Sequence, residues 1–323
     1  PTTLALSGEP TPLGEQVQMN TGTLRASAFS VSATGALVYQ TGVSGGGNSR
    51  VVWSDRAGRQ TAVLSENMPY RDLSLSPDGK HASVSLFDEK VNRGSDIWII
   101  DLMRALRTKF TFDPADEFSG LWSRDGVDMV FNSRRQGRFD LYRKAANGAG
   151  PEELLHADQF DKTPTSWSSD RQFILYTDIS VQGSGNIWAL PMTGERKPFP
   201  FVKTPFDEGA GQFSPDGRWV AYTSNESGRS EVYVAPFPGP GAKWQISNAG
   251  GGNPRWRADG SELFYLASGK LMAAAVRIGA ERVEVESVQP LFEISRPGGG
   301  ARPYYDVSPD GQRFLHIVTS LGA

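Results

Sequence analysis

Three aspartates recur at similar intervals along this 323-residue sequence and are its first candidates for chemistry. Each lies ten positions before the last residue of a short turn, and they are Asp116, Asp161 and Asp207. A second charged residue follows each of them, in the order Glu117, Lys162 and Glu208. Residues in the same phase of a repeat lie on one face of the structure, so the carboxylates are expected at one end of the molecule. Several carboxylate oxygens in one place suit Ca²⁺, or the ammonium group of an organic ligand.

In other repeats, arginines lie at or near the position ten residues before the end of the turn. Arg25 lies in that phase, while Arg71 and Arg302 lie within two residues of it. One half of this end of the molecule is therefore predicted to be acidic, and the other half is predicted to carry guanidinium groups. This combination suits a zwitterionic or peptide ligand. The aspartates have a simpler alternative role, because Asp side chains often cap turns by accepting backbone N–H groups. The sequence leaves the ligand, metal and capping interpretations open.

Known catalytic motifs do not account for these carboxylates. Residues 42–46 fit the G-x-S-x-G pattern, but a nucleophile elbow requires a helix after the serine, and here a predicted strand follows. The three histidines are scattered along the chain, which disfavours a Ser-His-Asp triad and a zinc site: His81, His156 and His316. No catalytic residue is assigned, although a hydrolase or lyase that uses a carboxylate pair stays open.

The turns that set this phase define the architecture. They end in Asp-Gly or a close variant, recur about every 45 residues, and occupy residues 76–79, 123–126, 168–171, 214–217, 257–260 and 308–311, with 32–35 as a degenerate copy. Pro, Asp and Gly in this order form a hairpin corner, and apolar residues at fixed distances on both sides indicate paired strands. A third strand with an aromatic residue and a weaker fourth strand follow most turns. Four antiparallel strands in each repeat predict the blades of an all-β propeller.

Seven turns predict seven blades, with six blades as the second choice. Only one strand, within residues 312–318, follows the last turn, so the last blade needs two strands from elsewhere. Residues 3–6 and 11–17 have strand patterns separated by a Gly-Glu-Pro turn, and we expect residues 1–18 to supply these outer strands and close the ring. The whole of residues 1–323 is predicted to form this one propeller domain.

Composition excludes several classes of function. The formal net charge is −3 and Lys and Arg form no block, which argues against nucleic-acid binding. The sequence has no apolar stretch long enough to insert into a membrane. Cysteine is absent, which excludes disulfides and thiol chemistry but leaves the compartment open. The chain begins at Pro1 without Met, so we expect it to belong to a longer polypeptide.

The repeats resemble a known family. Residues 213–222, with the sequence FSPDGRWVAY, and residues 96–98, DIW, are similar to the Pro-Asp repeat of TolB-type propellers. The region from Phe206 to Phe237 is similar to propellers that follow the kinase domain of bacterial serine/threonine receptor kinases. The resemblance implies an extracytoplasmic module that senses ligands or binds proteins. The turns at 32–35 and 168–171 depart from the family motif.

The sequence thus predicts a non-catalytic binding propeller whose site is one mouth of the central channel. Its partner is expected to be a protein, a peptide or a small polar ligand, and no cofactor is expected apart from a possible Ca²⁺ held by the three aspartates. The candidate binding residues are Asp116, Glu117, Asp161, Asp207, Glu208, Arg25, Arg71 and Arg302. The alternative is a carboxylate- or metal-assisted hydrolase or lyase at the same mouth.

Overall fold

The computed structural model describes residues 49–88, 93–180, 183–239, 241–279, 282–294 and 304–319, together with the backbone of four short strands between residues 19 and 39. These parts of the chain contain β-strands and turns and no α-helix. Most of the strands form six four-stranded antiparallel sheets, which are the blades of a propeller. The prediction of an all-β propeller is confirmed, with six blades, the second choice, instead of seven.

Five blades are continuous in sequence, and each runs from the channel outwards. Blade 1 contains Tyr70–Leu75, His81–Asp88, Arg93–Asp101 and Leu106–Lys109. Blade 2 contains Glu117–Trp122, Asp128–Ser133, Asp140–Ala145 and Glu153–His156. Blade 3 contains Asp161–Trp167, Phe173–Ile179, Gly185–Pro191 and Phe199–Val202. Blade 4 contains Glu208–Phe213, Trp219–Ser224, Glu231–Pro236 and Trp244–Gln245. Blade 5 contains Gly252–Trp256, Glu262–Ala267, Lys270–Ile278 and Val283–Glu293.

The sixth blade is composite and closes the ring. Its inner strands, Tyr305–Val307 and Arg313–Thr319, come from the C-terminal part of the chain, and its outer strands are Ser49–Asp55 and Gln60–Val63. Seven residue pairs join Arg313–Thr319 to Ser49–Asp55.

The expected seventh blade and its closure by residues 1–18 are therefore wrong. Strands Ser49–Asp55 and Gln60–Val63 follow the degenerate turn in the sequence but complete the last blade, because the apolar side chains of residues 51 and 53 are buried against the C-terminal strands. Strands Phe29–Val31 and Leu37–Tyr39 flank the degenerate turn at 32–35, and within the described part of the chain they pair with each other and with no blade. Met19–Asn20 and Ala26–Ser27 form another two-stranded sheet. Residues 1–18 and the turn itself lie outside the described residues.

A repeated hydrogen-bond pattern explains the turns. In the five described turns that begin with Ser, its hydroxyl donates to the Asp Oδ1 at 2.5–2.6 Å. The same Ser Oγ accepts the backbone N–H five residues later at 2.9–3.0 Å. Gly79 follows with a φ of 68°, the left-handed region that glycine favours. Arg171 adopts a φ of 62° in the place of that glycine, and its guanidinium donates to Asp128 of blade 2 at 2.8 Å.

An ion cluster stabilises the junction between blade 5 and the composite blade. Arg56, in the outer hairpin of the composite blade, donates to both carboxylate oxygens of Glu262, at 3.0 and 2.7 Å. Arg56 also donates to the carbonyl of Gly311 at 3.0 Å, and Arg257 donates to Glu262 at 3.2 Å. Bidentate guanidinium–carboxylate pairs have strict geometry, so this cluster holds the outer hairpin in register with blade 5.

Candidate functional site

The inner strands surround a central channel with a volume of about 1180 Å³. The Ser-Pro-Asp-Gly turns line one end of the channel with prolines such as Pro77 and Pro215. The first residues of the inner strands and the connections between second and third strands line the other end, which we call the mouth. Gly183, Arg229 and Gly250 belong to the mouth. The channel is large enough for a small organic ligand or an extended segment of a peptide.

The structure separates the predicted site residues into two groups. Asp207 and Glu208 line the channel at its mouth. The other described candidates lie away from the channel wall, and they are Asp116, Glu117, Asp161 and Arg71. Arg25 and Arg302 lie outside the residues whose side chains are described. Of the acidic residues predicted at the mouth, the two that line it are Asp207 and Glu208, which are neighbours in the sequence.

The three aspartates make equivalent hydrogen bonds between neighbouring blades. Their Oδ1 atoms accept backbone N–H groups within two residues of the start of the preceding blade's third strand: Asp116 from Ser95 at 2.8 Å, Asp161 from Phe139 at 3.0 Å and Asp207 from Gly185 at 2.7 Å. These are bonds of the kind that the capping interpretation predicts, although they cross from one blade to the next. The three aspartates lie at the same distance from their turns because each makes the same contact between neighbouring blades.

Glu117 belongs to a buried ion cluster. Its side chain is 0% exposed and pairs with Arg135, which also contacts Glu152 at 2.6 Å and Asp113 at 3.7 Å. The guanidinium lies over the ring of Tyr142, 4.3 Å from its centroid. Burial raises the pKa of Glu117, while the charge of Arg135 opposes that change. The single charge of Arg135 offsets part of the charge of the three carboxylates around it, and Lys144 contacts Glu152 at 3.3 Å as a second cation. The cluster is a structural contact between strands and connections.

Lys162, in the same phase of blade 3, is neutralised in a similar way. Its ammonium group is fully buried and contacts Asp158 at 2.6 Å, Asp140 at 3.1 Å and the carbonyl of Phe160 at 2.7 Å. The buried charge is therefore fully paired.

Glu208, in the same phase of blade 4, lacks such a partner. The residue is 1% exposed, its Oε1 accepts the hydroxyl of Thr204, and its buried Oε2 has no hydrogen-bond partner in the described part of the chain. No Lys or Arg among the described residues forms an ion pair with Glu208 or Asp207. Burial is the main cause that raises the pKa of Glu208, and the charges of Glu226 and Asp207 add to it. Glu208 is thus a buried carboxyl group with unused hydrogen-bonding capacity.

Arg71 lies beside blade 2. Its guanidinium lies 5.5 Å from the centroid of the Phe87 ring, and its buried Nε has no hydrogen-bond partner among the described residues. Burial lowers the pKa of Arg71, while the charges of Asp116 and Asp72 raise it. The arginine and an aspartate that were predicted on opposite halves of the mouth therefore attract each other.

Further charged residues line the channel and were missed from the sequence. Asp72 of blade 1 accepts the Ser85 hydroxyl at 2.7 Å and the backbone N–H of Ser119 at 3.1 Å. Asp306 of the composite blade lies 3.5 Å from the Nε of Arg255. They occupy the interiors of inner strands, and they differ in residue type from the residues in the same phase of the other repeats. Repeat alignment alone therefore gave no signal for them.

Within the described ranges, no group of three or more His, Cys, Asp or Glu side chains could hold a metal ion. None of the described segments forms a helix that could cross a membrane. His81 and His316 lie on second strands, and His156 ends the fourth strand of blade 2.

Comparisons with known proteins agree with the TolB-type fold. No family model matches the chain. An uncharacterized protein of Agrobacterium fabrum is 26% identical over 232 residues, which cover 68% of this chain and 76% of the relative. A protein of Agrobacterium tumefaciens described as a TolB has a TM-score of 0.67 and 17% identity, with 86% of this chain and all of that chain covered.

Two further structures share the fold. TolB from Acinetobacter baumannii has a TM-score of 0.57 and 17% identity, covering 84% of this chain and 63% of that chain. An oligogalacturonate lyase in complex with manganese has a TM-score of 0.55 and 13% identity, covering 82% of this chain and 78% of that chain. Similarity at these identities shows the fold alone. The chain is a TolB-like β-propeller.

Proposed function

We propose that this propeller is a non-catalytic binding module that takes a cationic group of a peptide, protein or small polar ligand at the channel mouth. The observation that carries the proposal is the pair of adjacent carboxylates, Asp207 and Glu208, which line the mouth without a cationic partner among the described residues. Carboxylates that are paired elsewhere in the fold, such as Glu117, are neutralised by arginine. An ammonium or guanidinium group of a ligand would supply the missing charge here.

The remainder of the channel suits the rest of such a ligand. Arg229 lies at the same mouth and Arg255 lies deeper in the channel, and both can offer N–H groups to a carboxylate or carbonyl of a ligand. Each already contacts one acidic side chain, Glu231 at 2.7 Å and Asp306 at 3.5 Å. A zwitterionic ligand would therefore find acidic and basic groups in one channel, although these arginines are not the ones expected from the sequence.

The three aspartates provide a matched experiment. Each of Asp116→Asn, Asp161→Asn and Asp207→Asn removes one negative charge and keeps an oxygen that can accept the inter-blade N–H. Purified protein is mixed with a defined pool of tripeptides, and the retained peptides are identified by affinity-selection mass spectrometry. We expect Asp207→Asn to weaken binding of Lys- and Arg-containing peptides by about tenfold, or 1.4 kcal/mol, and the other two variants to bind as wild type. Equal loss in all three variants, or no retention by wild type, would overturn the proposal.

A carboxylate- or metal-assisted hydrolase or lyase is the second candidate. It is favoured by the position of Glu208 beside Asp207 in the channel lining, because two neighbouring carboxyl groups in different environments can divide the roles of acid and base, and burial raises the pKa of Glu208. A screen of glycoside, ester and uronate substrates, with and without Ca²⁺ or Mn²⁺, tests it against the Glu208→Gln variant. Turnover that this variant loses would replace the binding proposal. A thermal unfolding scan with EDTA and then Ca²⁺ tests the cation separately.

We infer an extracytoplasmic location and a sensing role from the sequence resemblance to kinase-linked propellers. Antibody detection of the native protein in fractionated cells tests the location. Recovery in the cytoplasmic fraction would contradict it.

A further inference from the structure

The described chain contains one more inner hairpin than it has blades. Strands Phe29–Val31 and Leu37–Tyr39 flank the turn at 32–35 and pair with each other. In this hairpin and in all six blades, the first strand ends four residues before the last residue of the turn, and the second strand begins two residues after it. The turn position and the strand bounds therefore identify residues 29–39 as an inner hairpin of the same repeat.

This inner hairpin shares its outer hairpin with another one. The outer strands that follow it in the sequence are Ser49–Asp55 and Gln60–Val63, which belong to the composite blade. In blades 1–5, two to six residues lie between the second and third strands, and nine residues, 40–48, lie between Tyr39 and Ser49. This connection is long enough for residues 37–39 to take the place beside Ser49–Asp55 that Arg313–Thr319 occupies. Residues 29–39 and 305–319 therefore compete for one outer hairpin.

The register of the lone hairpin differs by one residue from that of the blades. Val31 pairs with Leu37, whereas Val307, at the same place in its repeat, pairs with Phe314. Val38 is the residue at the place of Phe314. A two-stranded hairpin alone is marginally stable in water, and register is specified strongly only where one face of the strand is buried. The outer hairpin would supply the missing pairing and the register that sets Val31 opposite Val38.

The two inner hairpins differ in one charge that acts in the channel. Asp306 lies in the channel lining, 3.5 Å from the Nε of Arg255, and accepts the backbone N–H of Leu75 at 2.8 Å. Ser30 is the residue at the place of Asp306 in the hairpin at 29–39. Replacement of one hairpin by the other therefore removes the carboxylate that Arg255 contacts and leaves its guanidinium group available in the channel.

We propose that residues 29–39 are a second inner hairpin for the composite blade, which exchanges with residues 305–319 and thereby turns Arg255 into a site for the carboxylate of a small ligand. The two arrangements have the same number of complete blades and use the same outer hairpin. A carboxylate ligand shifts the population towards the exchanged ring, because it binds Arg255 only when Asp306 has left. The inference does not rest on the proposed function, since Asp207 and Glu208 belong to neither hairpin.

The absence of cysteine allows a competition between two engineered disulfides. Residue 313 pairs directly with residue 55, and Leu37 lies at the place of residue 313 in its repeat. Directly opposed residues of antiparallel strands have Cα atoms within disulfide distance. A chain with Asp55→Cys, Arg313→Cys and Leu37→Cys is equilibrated in a glutathione redox buffer, and mass spectrometry of its peptides quantifies the two disulfides.

We expect the disulfide between positions 37 and 55 in about 0.1–10% of molecules, the range of a minor conformation. The matched control has Ser27→Cys in place of Leu37→Cys and reports random collision. Its disulfide with position 55 should be at least about tenfold rarer. Equal fractions at positions 37 and 27 would overturn the inference, because they would show collision without strand pairing.

Two core positions test whether the hairpin enters the blade. Phe314→Ala weakens the buried C-terminal hairpin, so it should raise the fraction of the 37–55 disulfide about tenfold. Val38→Asp places a charge where the blade would bury it, so it should abolish this disulfide and leave the Tm unchanged. Persistence of the disulfide in Val38→Asp would overturn the inference. A lower Tm in Val38→Asp would also overturn it, because the hairpin would then belong to the core of the unexchanged ring.

The anion site is tested with N-acetylglycine, which has a carboxylate and no ammonium group. It is titrated by calorimetry into two oxidised proteins, one with Asp55→Cys and Leu37→Cys and the other with Asp55→Cys and Arg313→Cys. The first should bind about tenfold more tightly or better, Arg255→Met should remove the difference, and Asp207→Asn should leave it unchanged. Equal binding by the two proteins would overturn the assignment of Arg255, whatever the outcome with Lys- and Arg-containing peptides.

Discussion

The Oδ1 atom of Asp161 accepts a hydrogen bond from the backbone N–H of Phe139 at 3.0 Å and so connects blade 3 to blade 2. The same contact recurs between Asp116 and Ser95 and between Asp207 and Gly185. The regular spacing of these aspartates in the sequence is therefore explained by the contacts that join neighbouring blades. Of these three aspartates, Asp207 alone also lines the channel.

Loss of such a contact should reduce stability. Asp161→Ala is expected to lower the free energy of unfolding by about 1–2 kcal/mol, because the N–H of Phe139 loses a charged acceptor. Asp161→Asn keeps an acceptor oxygen and should cost less. Urea unfolding followed by tryptophan fluorescence measures both variants. Equal stabilities of wild type and Asp161→Ala would show that the contact contributes nothing.

Arg135 is expected to be among the most sensitive charged positions. Arg135→Met leaves Glu117 buried without a cation, and removal of one partner of a buried ion pair costs about 3–5 kcal/mol. The double variant Arg135→Met with Glu117→Gln removes the buried charge as well and should recover a large part of the loss. Arg138→Met, at an exposed position nearby, is the control and should stay within about 0.5 kcal/mol of wild type. Additive effects of the two substitutions would contradict the proposed coupling.

His316 should make the stability depend on pH. The imidazole is buried in the composite blade, its Nε2 lies 2.9 Å from the Ser54 hydroxyl, and burial lowers its pKa from 6.5 to about 4. Between these two values the unfolded chain binds more protons than the folded chain, so stability falls as the pH falls from 6.5 to 4 and changes little above 6.5. The full effect is about 3 kcal/mol.

Urea unfolding at pH 7, 5.5 and 4.5 measures this dependence. A His316→Gln variant should have a flatter profile over the same range, after correction for its lower stability at pH 7. If the free energy of unfolding changes with pH equally in wild type and in His316→Gln, the pH dependence belongs to other groups.

The junction between blade 5 and the composite blade should respond to Glu262. Glu262→Gln weakens the contacts with both Arg56 and Arg257, and we expect a loss of about 1–2 kcal/mol because these side chains are partly buried. Glu284→Gln, which weakens an exposed pair with Arg282, should change stability by less than about 0.5 kcal/mol. Thermal unfolding of both variants makes the comparison, and similar losses would argue against a special role for the junction.

The sequence was sufficient for the turns and for the class of fold, because each turn is specified by neighbouring residues. The Ser76 hydroxyl, the Asp78 carboxylate and the N–H of His81 meet within six positions of the chain. Even the turn with Arg171 in the place of glycine forms in the same way. Local patterns of this kind do not depend on which blade lies next to the turn.

The blade count and the site depended on distant contacts. Strand Ser49–Asp55 has the same apolar pattern whether it completes its own repeat or the last one, so the sequence could not distinguish six blades from seven. Glu117 and Glu208 occupy equivalent positions, yet one meets an arginine and the other does not. Residue 135 is an arginine and residue 226 is a glutamate, and both lie in connections between second and third strands.

The composite blade has a mechanical consequence. Ser49 pairs with Thr319 at one end of two antiparallel strands, so the chain enters and leaves the ring at neighbouring points. A force that pulls these two points apart acts on one pair of hydrogen bonds at a time and peels the strands from that end. The ring should therefore open at low force at this blade, while the other five blades carry no load until it has opened.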